Sequence, residues 1–143
     1  MKKVRIGIYI FNDVEVLDFT GPYEVFSSIR IPKKKLSYTA LHKSPVELFT
    51  ISENTKLITA TGGLKVQSDY TFSNAPQPNI LLIPGGIGTR KLLYNKNVLD
   101  WIRSHKNIDL LCSVCTGSLL LAKAGLLKNK KATTHKGSFS LLK

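Results

Sequence analysis

Leu111-Cys112-Ser113-Val114-Cys115-Thr116-Gly117-Ser118-Leu119-Leu120-Leu121 is the stretch on which the fold turns. The run Ile108 to Val114 is nearly all apolar, as expected of a parallel strand covered on both faces. A helix is expected directly after Cys115. Ser113 and Gly117 place small residues two before and two after Cys115, the spacing of a nucleophile elbow, where strand and helix approach closely. The pattern usually written for such elbows has Gly at the first position; here it is Ser113. Cys115 would sit at a helix N-terminus, where free N–H groups and the helix dipole favour a thiolate.

Upstream, Asn79 to Ile83 reads as a second buried strand that runs into Pro84-Gly85-Gly86-Ile87-Gly88. Val4, Ile6, Ile8 and Ile10 alternate through a first strand, and Asn12 to Asp18 is predicted as the loop after it. Gly21-Pro22 is the expected start of a helix whose apolar face is Val25, Phe26 and Ile29, stopped by Ile31-Pro32. Ile31 to Ser44 reads as a basic loop and Val46 to Ile51 as a strand. Leu57 to Thr61 and Leu64 to Gln67 read as short strands around Gly62-Gly63, and Asp69 to Pro78 as turns. Leu92, Leu93, Val98, Trp101 and Ile102 mark a helix or helical pair before the Cys115 strand. The helix after Cys115 should end near Gly125. Lys131 to His135 reads as one more short strand, and Gly137 to Lys143 as the beginning of a helix. Strands alternating with helices imply an α/β domain with a mainly parallel sheet, whose sites lie beyond the carboxyl ends of strands. Asn12 to Asp18, Pro84 to Gly88, and Cys115 all fall there.

The chain has 143 residues, 43% of them hydrophobic, enough for one domain with one core. No apolar run has the length of a membrane span, and the N-terminus leads into a strand rather than a signal peptide. The expectation is a soluble cytoplasmic protein. Twenty-one Lys and Arg against nine Asp and Glu give a net charge of +12. The basic clusters Lys33-Lys34-Lys35 and Lys128 to Lys131 contain no aromatics and read as solvated loops, so nucleic acid is not an expected partner despite the charge. Cys112 and Cys115 do not make a disulfide framework. Cys112 lies within the apolar strand, which favours packing over a redox C-x-x-C role.

Cys115 is the candidate nucleophile. Asp18, closing the first loop, would share a proton with it and act as general acid and base, or else compensate a helix N-terminus. Glu24 carries the same two readings, the structural one favoured. Gly85 and Gly86 offer backbone N–H groups that, with the N–H of Thr116, would stabilise developing negative charge; a plain turn is the alternative. His135, at the end of a late strand, is a possible proton carrier. His42 and His105 carry no assignment. There is no P-loop, and three scattered histidines with two close cysteines do not suit zinc, so neither metal nor cofactor is expected.

Leu17-Asp18-Phe19-Thr20-Gly21-Pro22-Tyr23-Glu24-Val25-Phe26, then Pro84-Gly85-Gly86, then Cys115-Thr116-Gly117-Ser118, then Ala132-Thr133-Thr134-His135 resemble, in that order, the DJ-1/PfpI family. This is a class I glutamine amidotransferase-like group, and the isonitrile hydratase-like branch is the most similar. The same domain forms the N-terminal half of certain AraC-type regulators. The resemblance implies a flavodoxin-like three-layer sandwich, usually a homodimer. It puts the nucleophile at Cys115, the acidic partner at Asp18 and the oxyanion donors at Gly86 and Thr116. Family peptidases often have His after the nucleophile; Thr116 here agrees with the hydratase-like branch. Family members continue well beyond the Thr-Thr-His segment, so the expectation is one domain, residues 1–143, truncated at its C-terminal end. The expected function is a cysteine-dependent hydratase or hydrolase of a small electrophile, an isonitrile converted to an N-substituted formamide. The alternatives are a non-catalytic ligand-sensing domain and a stress-response protein acting on reactive carbonyls.

Overall fold

β1 (Val4–Tyr9) is the strand around which the sheet is arranged. Ile6, Ile8, Tyr9 and Ile10 are all buried, so both faces of this strand are covered, as parallel sheets require. The computed structural model describes residues 3–30, 44–55 and 57–142. The Lys33-Lys34-Lys35 cluster and residues 31–43 of the predicted basic loop lie outside them.

After β1 come α1 (Val16–Ser27), β2 (Val46–Ser52), β3 (Leu57–Thr59), β4 (Lys65–Gln67), β5 (Tyr70–Thr71) and β6 (Ile80–Ile83). Then follow α2 (Thr89–Leu92), α3 (Lys96–Ser104), β7 (Leu110–Ser113), α4 (Gly117–Lys123) and α5 (Phe139–Leu142). The main sheet has the order β5-β2-β1-β6-β7, and β3 and β4 form a separate antiparallel hairpin. β1 pairs in parallel with β2, Val4 opposite Val46, and with β6, Ile6 opposite Ile80. β6 pairs in parallel with β7, Ile83 opposite Ser113. The chain moves from β1 to β2 in one direction and from β6 to β7 in the other. Right-handed crossovers then place the connecting helices on opposite faces, and the order reverses between β1 and β6. This is the flavodoxin-like α/β architecture.

α1 packs over β1 and β2. α3 reaches the sheet through Trp101, which stacks on Phe72 at 3.9 Å and meets Tyr9 at 5.5 Å between ring centroids. Asn95 caps α3 by accepting the Val98 N–H. Val98 and Ile102 are buried, as expected; Leu92, Leu93 and Trp101 pack half-buried against the same core. Leu120 and Leu121 of α4 close it from the other side of the elbow, each burial stabilising by about 1.5–3 kcal/mol. α4 ends at Lys123, and Gly125 follows with φ +78, the helix stop expected there. Among the described residues no helix is long and apolar enough to cross a membrane.

Five expectations change. α1 begins at Val16, not at Gly21-Pro22, and Pro22 lies inside it. Proline removes one helical hydrogen bond at that point, but the earlier start buries Phe19 against the core. Val25 is 66% exposed, so the apolar face is carried by Phe19 and Phe26 instead. Among the described residues β7 ends the sheet order, and Leu110 is 52% exposed with Leu111 to Ser113 half-buried, so the strand is not covered on both faces as expected; an apolar run does not record how many neighbours a strand has. Tyr70–Thr71, in the segment expected to be turns, pairs with β2. Lys131 to His135 forms no strand. The beginning helix at the C-terminal end is present, as one 3₁₀ turn at Lys136–Ser138 followed by α5.

Candidate active site

The chain passes from β7 to α4 through Val114, Cys115 and Thr116. Val114 still donates its N–H to Ile83 O at 3.0 Å, extending the pairing with β6. Cys115 then takes up the turn with φ +53, a left-handed conformation that costs a residue with a Cβ about 1–2 kcal/mol. Gly117 makes the turn possible. A Cβ there would lie 2.0 Å from Ile83 O, so only glycine lets α4 start directly against the end of β6.

Asp18 follows β1, Gly85 and Gly86 follow β6, and Cys115 follows β7. These three strand ends converge, as the carboxyl-end rule anticipates. Because α1 starts early, Asp18 lies in its first turn rather than in a loop. Asp18 Oδ2 accepts the Gly85 N–H at 3.0 Å, and Gly85 O accepts the Glu15 N–H at 2.9 Å. The position of Gly85 is the space between the acid and the elbow. A Cβ there would stand 2.6 Å from Thr116 N and 2.8 Å from Asp18 Oδ2.

Thr116 ties the elbow to the glycine turn. Its Oγ1 accepts the Gly86 N–H at 3.0 Å and lies 3.2 Å from Gly86 O as a donor. Thr89, fully buried, donates to the same Gly86 O at 2.8 Å and lies 3.3 Å from Thr116 Oγ1. Both glycine N–H groups, expected to face an anion, are therefore engaged, Gly85 by the acid and Gly86 by the Thr116 hydroxyl. Thr116 N itself borders the open position at Gly85, and its N–H favours the charged form of the Cys115 thiol.

The Cys115 thiol is held above its ordinary range rather than below it. Burial is the largest cause, and the charge of Asp18 and its hydrogen bond to the thiol act in the same direction; the Thr116 N–H and hydroxyl oppose them. The expected thiolate at a helix end is thus corrected. α4 has only seven residues, and Cys115 precedes its N-cap Thr116, so partial burial and a neighbouring carboxylate outweigh the helix dipole. Cys112 is half-buried, its sulfur 3.6 Å from Leu81 O, and burial pushes its thiol up as well. Both cysteines are free, and Cys112 packs against the core as expected.

Two candidates are not brought in. Glu24 stands six residues after Asp18, about 240° around the helix. It is exposed, accepts Ser28 Oγ at 3.4 Å, and lines an open cavity of about 720 Å³ with Leu17, Tyr23 and Asp69. His135 is exposed and its Nδ1 accepts the Gly137 N–H at 3.2 Å, so the ring caps its own 3₁₀ turn. Its neighbour Thr134 reaches the elbow instead, donating to Cys115 O at 3.1 Å. Thr134 belongs to the Ala132 to His135 motif, which was the signal for it. Ser118 likewise belongs to the Cys115 to Ser118 motif, whereas Thr89 had no signal, because a single hydroxyl inside a helical pattern announces nothing.

The profile of the DJ-1/PfpI family matches residues 4–142. The chain is 34% identical over 140 residues to isonitrile hydratase of Pseudomonas putida, covering 97% of this chain and 55% of that protein. It is 30% identical over 86 residues to the HTH-type transcriptional regulator GbdR of Pseudomonas aeruginosa, covering 60% of this chain and 23% of the regulator. A ThiJ/PfpI family protein from Pseudomonas syringae superposes with a TM-score of 0.75 at 25% identity, over 90% of this chain and 48% of that one. The chain thus spans about half the length of the hydratase and a smaller part of the regulator.

Proposed function

The chain belongs to the DJ-1/PfpI family, and from that premise we propose that it is a cysteine-dependent hydratase converting an isonitrile to an N-substituted formamide. The observation that carries this reading is the Cys115–Asp18 pair, a thiol on a strained elbow facing the carboxylate that the Gly85 N–H holds and whose charge raises that thiol. The similarity to isonitrile hydratase over 97% of the chain supports the choice of substrate class.

Asp18 takes the thiol proton as the Cys115 sulfur attacks the terminal isonitrile carbon. A carbon–sulfur bond forms, and the same proton passes from Asp18 to that carbon, giving a thioimidate. Asp18 then removes a proton from water, whose oxygen adds to the carbon while the nitrogen is protonated. Collapse of the tetrahedral adduct breaks the carbon–sulfur bond, Asp18 passes the adduct's hydroxyl proton to the leaving Cys115 sulfur, and the formamide is released with the thiol restored and one water consumed. Thr116 is the hinge of this scheme: its N–H borders the open position at Gly85, and rotation of its hydroxyl frees the Gly86 N–H for the developing charge. The substrate is a small neutral molecule, and a second copy of the chain is the proposed partner. Leu17 and Val25, exposed on α1, are apolar surface suited to it.

Turnover of a simple alkyl isonitrile, followed by formamide production in wild type and Cys115→Ala, tests the assignment. Formamide formed at equal rates by both proteins would refute it.

A second reading, a ligand-sensing domain without turnover, is favoured by the engagement of both glycine N–H groups and by the similarity to GbdR. It predicts saturable binding of a small molecule with no product.

A further inference from the structure

Residues 131–138 run along the surface without a strand, and most of them are exposed. Thr134 and Ser138 are the exceptions, both buried. Neither is apolar, so what draws them inward is hydrogen bonding. Ser138 Oγ accepts from Arg90 at 2.9 Å. Arg90 in turn lies 3.4 Å from Thr89 Oγ1, inside the Thr89–Thr116–Gly86 cluster. Thr134 Oγ1 donates to Cys115 O at 3.1 Å.

Cys115 O accepts a second hydroxyl, Ser118 Oγ, also at 3.1 Å. Ser118 is local, one turn ahead on α4, whereas Thr134 arrives from nineteen residues away. The carbonyl they hold belongs to the peptide unit whose other end is the Thr116 N–H. That unit is trans and planar, so its oxygen and its N–H point in opposite directions. Fixing the oxygen fixes where the N–H points, and Thr116 N stands 2.6 Å from the place a Cβ on Gly85 would take, in the space between the elbow and Asp18.

We propose that Thr134 is a positioning residue: its hydroxyl, together with that of Ser118, clamps the Cys115 carbonyl and so aims the Thr116 N–H at the charge that develops at the reacting centre. This rests in its kinetic part on the hydratase reading and in its geometric part on the elbow alone. Both hydroxyls work on one strained residue, which without them has a low-energy route to relax its φ. Relaxation would swing the peptide and remove the donor from the site.

The test compares wild type, Thr134→Val and Thr134→Ser in two assays. The first is the pH profile of Cys115 alkylation by iodoacetamide, read by mass spectrometry with Cys112 as internal reference. The Thr116 N–H favours the thiolate, so Thr134→Val should move the Cys115 profile to higher pH and leave Cys112 unmoved, while Thr134→Ser stays with wild type. The second is isonitrile turnover, where Thr134→Val should lower kcat by about tenfold with KM nearly unchanged. A Cys115 profile unchanged in folded Thr134→Val overturns the clamp. So does a serine variant that behaves like valine, which would assign the effect to the lost methyl. If wild type turns over no isonitrile but the alkylation profile still shifts, the hydratase reading fails and the clamp stands. If Thr134→Val does not fold, Ser118→Ala carries the test, since it removes the other donor to the same carbonyl. A shift in the same direction supports the clamp and no shift overturns it.

Discussion

Asp18 Oδ2 lies 3.0 Å from Gly85 N, and a Cβ on Gly85 would stand 2.8 Å from that same oxygen. The acid is held by the backbone of the residue whose missing side chain leaves it room. Gly85→Ala therefore pushes on both Asp18 and Thr116 at once. The expected result is a folded protein destabilised by about 1–3 kcal/mol, with Cys115-dependent turnover reduced at least about 100-fold. Urea denaturation and formamide production measure the two effects separately.

Asp18→Asn should separate thiol reactivity from catalysis. The carboxylate holds the Cys115 thiol up by its charge and by its hydrogen bond to the thiol. With asparagine, alkylation of Cys115 should extend to lower pH than in wild type. Turnover should nevertheless fall by about 10²–10⁴-fold, because no group remains to carry the proton. Alkylation and turnover falling together would contradict the assigned role.

Gly117→Ala tests the elbow as architecture. Its Cβ would meet Ile83 O at 2.0 Å, and Ile83 is fixed by pairing to β7 at Ser113. The expected loss is roughly 3 kcal/mol or more, seen as a lower urea midpoint. A midpoint within error of wild type would mean that the elbow opens more readily than this geometry allows.

Tyr9→Phe should stabilise the protein. The Tyr9 hydroxyl is buried and has no hydrogen-bond partner. Removing it relieves an unsatisfied polar group, a gain of about 1–3 kcal/mol. The pH dependence gives a second readout. Burial, and then the charge of Glu53, push the Tyr9 phenol far above its ordinary 10.0. The unfolded chain therefore loses this proton at lower pH than the folded one, and stability falls as pH rises past that value. Cys112 and Cys115, both raised, act in the same direction from their ordinary 9.0 upward. Stability of wild type should thus fall above about pH 9. Tyr9→Phe should flatten only the limb beyond pH 10, which thermal melts across the alkaline range would show.

The alternating strand at Val4, Ile6 and Ile8, the buried run before Pro84 and the small-residue spacing around Cys115 are local patterns. Each is set by residues within one turn or one strand, so the sequence alone determined an α/β fold, the strands whose carboxyl ends converge, and Cys115 as the candidate nucleophile at the elbow. The motif order marked Asp18 and Thr116 as further candidates, and the structure brings both beside Gly85 and Gly86. Other features depended on residues distant along the chain. Among the described residues β7 pairs with β6 alone, which its own apolar composition does not record. α1 starts at Val16 because Phe19 finds a core to fill. Glu24 and His135 were equal in kind to residues that do reach the site, but a 240° helix rotation removes the first and a self-made cap removes the second. The engagement of the glycine N–H groups, the raised Cys115 thiol and the reach of Thr134 to Cys115 O were decided only by the tertiary structure. Hydrogen bonds across tens of residues, and the burial that gives them their effect, do not exist until the strand ends have been brought together.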